Sequence, residues 1–157
     1  MNIVDFPFQA IETMTFNARP QPLSAILRPI YRISLIALVL KINCRSDTAS
    51  FLKLQFFNWL LKSPSLQKLF GDKIINNGVF SLELIHIDPM VNLALRYAIA
   101  DKLISVTNNC KYKLTNKGHE FVDQILRDKQ SVLNVERELL VGIGKRISEV
   151  KLRKELL

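Results

Sequence analysis

Two histidines and two cysteines are the residues best equipped to ligate a metal or to pair a nucleophile with a base, and their spacing gives them little to work with. Cys44 and Cys110 lie far apart with no second ligand nearby. They form neither a zinc pattern nor a disulfide framework and read as buried thiols. His86 falls in a strand-like alternation and His119 in a helical one, each without a cysteine, carboxylate or second histidine at metal spacing. His119 beside Glu120 reads as an exposed pair rather than an acid–base couple. Asp47, Asp72, Asp88 and Asp101 fall where turns and helix caps need them. The segment VGIGKRIS at 141–148 contains Gly-Ile-Gly-Lys, but with neither the preceding strand nor the spacing of a phosphate-binding loop. The expectation is a protein that is not an enzyme and takes no cofactor and no metal.

Binding is the more open question. The net charge is +8 in 157 residues, which permits an anionic partner without requiring one. The charge is spread: residues 41–77 hold six basic and two acidic side chains, and residues 127–157 hold eight and five. No block of consecutive Lys or Arg exists. Asn92 and Arg96 are the polar groups expected to point outward from a helix over about 90–103. Lys111, Lys113 and Lys117 follow on a hairpin and its exit. Bidentate base contacts come from Arg, Asn or Gln, so one of each is a thin set for reading sequence. Non-specific phosphate contact by the three lysines needs much less. The candidate nucleic-acid-binding residues are therefore Asn92, Arg96, Lys111, Lys113 and Lys117, with a solvated or protein-binding surface an equally good reading of that face.

The elements that would carry these residues are legible around Leu103 to Phe121. Ile104, Val106, Tyr112 and Leu114 are β-formers flanking Asn108-Asn109, residues that tolerate left-handed turns. Two short strands around such a turn make a hairpin. Thr115 then caps a helix opening at Asn116, with Phe121, Val122, Ile125 and Leu126 as its apolar stripe. Helix, hairpin, helix in this order is the wing of a winged helix-turn-helix domain.

Upstream, Pro29 suits the first turn of a helix running to about Asn43, with apolar residues nearly all round it. Arg45-Ser46-Asp47-Thr48 is a polar turn with capping residues. A second helix is expected from about Ala49 to Lys62, with Leu52, Phe56, Trp59 and Leu60 on one stripe. A short helix over Ser65 to Phe70 and a strand over Phe80 to Ile87 fill the connection to a third helix. Asp88 and Pro89 cap that third helix, and Val91, Leu95, Ile99 and Leu103 form its inward face. The expected domains are an irregular N-terminal arm at 1–28, a winged-helix domain at 29–128 and a C-terminal partner-binding helix at 129–157. Leu140, Ile143, Ile147 and Val150 make an apolar stripe on that last helix, expected to face another chain. Gly142 and Gly144 mark a kink or a close backbone contact within it. The fold class expected is mainly α: a winged helix-turn-helix with a small β-sheet and a C-terminal helix. The N-terminus lacks the pattern of a secretion signal, and the longest apolar run, Ile33 to Leu40, is far short of the ~20 residues that span a bilayer. The expectation is a soluble cytoplasmic protein without membrane contact.

Three segments resemble one family. They are RPIYRISLIALVLKINCRSDTASFLKLQFFNWLL at 28–61, LIHIDPMVNLALRYAIADKLI at 84–104 and YKLTNKGHEFVDQIL at 112–126. They look like the middle component of prokaryotic ABC-three-component conflict systems, a group that includes Lamassu-type defence. The matches are Arg28-Pro29-Ile30-Tyr31-Arg32, Lys53-Leu54 with Asn58-Trp59, Asp88-Pro89 with Asn92 and Ala94, and Leu114-Thr115-x-x-Gly118. The resemblance implies a small winged-helix adaptor lying between an SMC-like ATPase and an effector, often a nuclease, that holds the effector inactive or couples ATPase state to its release. The alternative is a winged-helix DNA-binding transcription regulator, dimeric through its terminal helix. A toxin-antitoxin-like inhibitor is the third and weakest reading.

Overall fold

The structure is a computed structural model, and it describes residues 24, 27–75, 87–128, 130 and 133–156. The strand expected at 80–87, apart from its last residue, and nearly all of the arm at 1–28 lie outside the described residues. Helix α1 (Pro29–Asn43) opens on Pro29, whose missing N–H costs nothing in a first turn. Every residue from Arg32 to Leu40 is buried, because the helix is wrapped on all sides. It touches helices α2, α4, α5 and α6 and the strand β3, whose ranges follow.

A 3₁₀ turn at Arg45–Asp47 leads into strand β1 (Thr48–Ala49) and helix α2 (Phe51–Leu61). Ser46 and Asp47 in that turn both have positive φ, at 53° and 52°. Ser50 is the N-cap of α2, accepting from the Lys53 N–H, and the cap expected in the Arg45–Thr48 turn is two residues early. Helix α3 (Pro64–Ile75) runs further than the short helix expected there. Gly71 lies inside it rather than ending it.

Helix α4 (Pro89–Ala100) is capped as its sequence reads: the Asp88 carboxylate accepts from the Met90 N–H. Val91, Ala94, Leu95, Ala98 and Leu103 are buried, but Ile99, expected on the same face, is 36% exposed. Strands β2 (Ile104–Val106) and β3 (Tyr112–Leu114) form the expected hairpin. The residue that turns left-handed at its tip is Cys110, with φ 53°, rather than Asn108 or Asn109. Cys110 is therefore exposed, and of the two cysteines only Cys44 is buried. The sheet is antiparallel in the order β1-β3-β2. β1 pairs Thr48 with Lys113 and Ala49 with Tyr112. The sheet's third strand is thus a two-residue segment between the first two helices.

Helix α5 (Asn116–Arg127) follows the hairpin without a linker. Thr115 caps it by accepting from the Gly118 N–H, and the same hydroxyl shares its proton between two carbonyls of the segment joining α4 to β2, 2.6 Å from Lys102 O and 3.0 Å from Leu103 O. Gly118 has to be glycine: a Cβ there would collide with the Leu103 carbonyl and with Leu114. The single C-terminal helix expected within 129–157 is instead two, α6 (Asn134–Ile143) and α7 (Glu149–Leu156). Gly144 ends α6 with φ 55°, a conformation that costs glycine least.

These two helices correct the expected partner face. Leu140, Ile143 and Ile147 are fully buried within the chain's own core, and Val150 alone of the four is exposed. The α6 stripe is covered by α1 and α3, so it satisfies within one chain the burial that a terminal apolar stripe demands. The described protein is mainly α-helical with one small three-stranded sheet. Among the described residues no helix is long and apolar enough to cross a membrane.

Candidate functional site

Three polar constellations lie between the helices. The first joins α1, α2 and the start of α4. Arg32 Nη1 lies 2.8 Å from Asp88 Oδ2 and donates to Asn58 Oδ1 at 2.9 Å. Gln55 pairs with the Asp88 backbone in both directions, accepting from its N–H at 3.0 Å and donating to its carbonyl at 3.2 Å. Burial pushes the Asp88 carboxyl up. The Met90 N–H, Arg32 and Asn58 outweigh that and hold it below its ordinary value. A buried charge so fully paired is a clamp holding three elements, since taking away either partner leaves the other uncompensated.

The second is a chain of three side chains. Lys41 at the end of α1 lies 2.8 Å from His119 Nδ1, and His119 Nε2 lies 3.3 Å from Asp47 Oδ2. An ammonium can only donate, so in the neutral ring Nδ1 accepts and Nε2 carries the proton toward Asp47. His119 is therefore not an exposed pair with Glu120. It joins α1, the 3₁₀ turn and α5, a contact between residues 72 positions apart in sequence that spacing along the chain cannot reveal.

The third ties α1 and α2 to the terminal helices. Asn43 Nδ2 donates to the Leu140 carbonyl at 2.8 Å and to the Gly144 carbonyl at 2.7 Å, capping the end of α6. Lys53 Nζ donates to the Asn43 carbonyl at 2.9 Å. Glu149 accepts from the Ser50 N–H and hydroxyl, so one carboxylate at the start of α7 holds the cap of α2. Tyr31 donates to Glu136 Oε1 at 2.8 Å, and burial together with that carboxylate pushes the phenol well above its usual range.

A cleft of about 510 Å³ opens beside this third group, between the 3₁₀ turn, the hairpin tip and the segment joining α6 to α7. Arg45, Lys53, Lys111 and Lys145 line it, with Glu149 as the only carboxylate among the lining residues.

The residues picked out as nucleic-acid contacts do not come together as one set. Asn92 and Arg96 are exposed on α4, one turn apart. Lys111 lines the cleft, and Lys113 is exposed at the centre of β3. Lys117 spends its ammonium on the end of α4, donating to the Asp101 carbonyl at 2.8 Å. Arg45, Lys53 and Lys145, which join Lys111 in the cleft, are not among the binding residues expected from the sequence. Their only common signal is that each is basic. Among the described residues no group of three or more His, Cys, Asp or Glu is placed to hold a metal ion.

The chain matches no protein-family model, no curated protein and no solved structure.

Proposed function

We propose that this chain is a non-catalytic winged-helix adaptor that links an SMC-like ATPase to an effector, a nuclease by preference, in a prokaryotic defence complex acting against phage or plasmids. One observation carries the reading. Three of the residues on which the resemblance to the ABC-three-component middle component rests meet in space, although they come from separate segments. Arg32, Asn58 and Asp88 form one clamp. Thr115 and Gly118 form the junction that seats α5 against the end of α4. A pattern of that kind describes a fold's own fastenings. The element order supports the winged-helix assignment as well: helix, short strand, helices, then a hairpin whose second strand pairs with the first short strand.

The test is reconstitution. The full chain, co-expressed with the ATPase and effector encoded beside its gene, should elute with both as one complex. ATP should then change the effector's activity only when this chain is present. Failure to form the complex with either neighbour, or a gene neighbourhood without a coiled-coil ATPase, overturns the adaptor reading.

The DNA-binding regulator is the second reading, favoured by the exposed Asn92 and Arg96 beside a hairpin. It predicts nanomolar, sequence-selective binding by the isolated chain. The adaptor reading predicts at most weak binding whose log K falls against log salt with a slope of about −2.7, from three lysine contacts at roughly −0.9 each. Changing Lys111, Lys113 and Lys117 to Glu should abolish the weak binding for all sequences alike.

A further inference from the structure

The cleft beside the hairpin tip contains a buried positive charge, that of Lys53, with no ion-pair partner among the described residues. Lys53 is 4% exposed, and its ammonium donates to a neutral carbonyl, that of Asn43, with the Cys44 sulfur as a second neighbour. An ammonium has three donors, and a buried one without an anion is costly. The neighbouring Cys44 thiol supplies no charge, because burial pushes it up to about 11. The cleft's carboxylate, Glu149, is held by the Ser50 N–H and hydroxyl and makes no ion pair with Lys53. Around the cleft stand Arg45, Lys111 and Lys145, whose charged groups have no ion-pair partner among the described residues. The cleft therefore presents four cations against one engaged carboxylate.

We propose that this cleft binds a phosphomonoester or diphosphate group, with Lys53 at its inner wall and Arg45, Lys111 and Lys145 around it. Such a group carries nearly two negative charges and several strong acceptor oxygens, which is what an excess of cations in a concave site lacks. The volume of about 510 Å³ suits a ligand of nucleotide size. A terminal phosphate is required rather than an internal one. A phosphodiester is flanked by a sugar on both sides and carries one charge, so it cannot reach an ammonium that is almost wholly buried. The group can come from a free nucleotide or from the 5′ end of a nucleic acid strand. This inference is independent of the adaptor reading.

The test is calorimetric titration of the full chain with inorganic pyrophosphate, ADP, and one oligonucleotide prepared with a 5′ phosphate and with a 5′ hydroxyl. Pyrophosphate is expected to bind one to one with a sub-millimolar Kd. Arg45→Ser and Lys145→Ser, both at exposed positions, should each weaken it about tenfold, the effect of losing one charge-assisted hydrogen bond. Arg127→Ser, at the exposed end of α5, should leave it unchanged. Lys53→Met should abolish it; should that variant fail to fold by circular dichroism, the two surface variants decide. Tighter binding of ADP than of the phosphorylated oligonucleotide assigns the site to a soluble nucleotide. A preference for the 5′ phosphate over the 5′ hydroxyl strand, stronger than that for ADP, assigns it to a nucleic acid end. The proposal is overturned if pyrophosphate gives no heat at millimolar concentration, if Arg127→Ser weakens it as much as Lys145→Ser, or if the 5′ hydroxyl strand binds as well as its phosphorylated twin.

Discussion

The hairpin exit and the terminal helices are both places where the chain must close a helix end, and they do so in opposite ways. At the hairpin exit one hydroxyl, on Thr115, caps the start of α5 and ties it to the segment that follows α4, and the glycine three residues later lets the two backbones approach. Everything there lies within a few residues of sequence, apart from the carbonyls it caps. At the end of α6 the capping group is Asn43, supplied from 97 residues away. The first arrangement can be built by a local motif. The second exists only once the whole fold is assembled, and it makes the C-terminal segment part of the core rather than an appendage.

The sharpest way to break that contrast is to charge the buried stripe of α6 and the segment that follows it. Leu140→Asp with Ile147→Asp places two unpaired carboxylates at positions with no exposure, and the chain should then lack a cooperative urea transition at 25 °C. A double variant that stays folded would mean the segment peels away freely, restoring it as a partner surface. Next in size is Gly118→Ala. Its new methyl meets a backbone carbonyl that cannot move aside, for a loss of about 3 kcal/mol by urea denaturation. Asn43→Ala should cost roughly 2 kcal/mol, because the Gly144 carbonyl loses the Asn43 amide and the Leu140 carbonyl keeps only the Gly144 N–H. If Asn43→Ala proves harmless, the long-range cap is decoration and the comparison collapses. Thr115→Ala should cost about 1 kcal/mol, the usual loss of a helix cap.

The smallest effect is a slope against pH. Asp88 has a folded value below its ordinary 3.8, so its contribution is fully present above that ordinary value. It is lost as pH falls through the lower folded value. Asp88→Asn should remove that part of the acid-side slope in a stability titration while leaving the neutral-to-alkaline profile unchanged in shape.

The sequence carried the hairpin, the caps at Asp88 and Thr115 and the buried α1 because each depends on neighbours along the chain. It did not carry β1. Thr48 and Ala49 are too few to show any alternation, and only their pairing with Lys113 and Tyr112 makes them a strand. It read a partner face at Leu140, Ile143 and Ile147 because apolar spacing says that a stripe must be covered but not by what. The cleft was hidden for a related reason. Arg45, Lys53, Lys111 and Lys145 stand in four separate elements or loops, so no window of sequence brings them together.

The wrapping of α1 has a kinetic consequence. This helix is apolar on nearly every side, yet its ties reach far down the chain: Asn43 waits for Leu140 across 97 residues, and Tyr31 for Glu136 across 105. During synthesis α1 emerges early and its last cover arrives late. Contacts of such separation slow the final closure of a fold and leave greasy surface open meanwhile. A ribosome-bound chain halted before residue 134 should therefore leave the α6-facing side of α1 uncovered, sensitive to protease and attractive to chaperones, and gain native resistance only after α6 is free to dock.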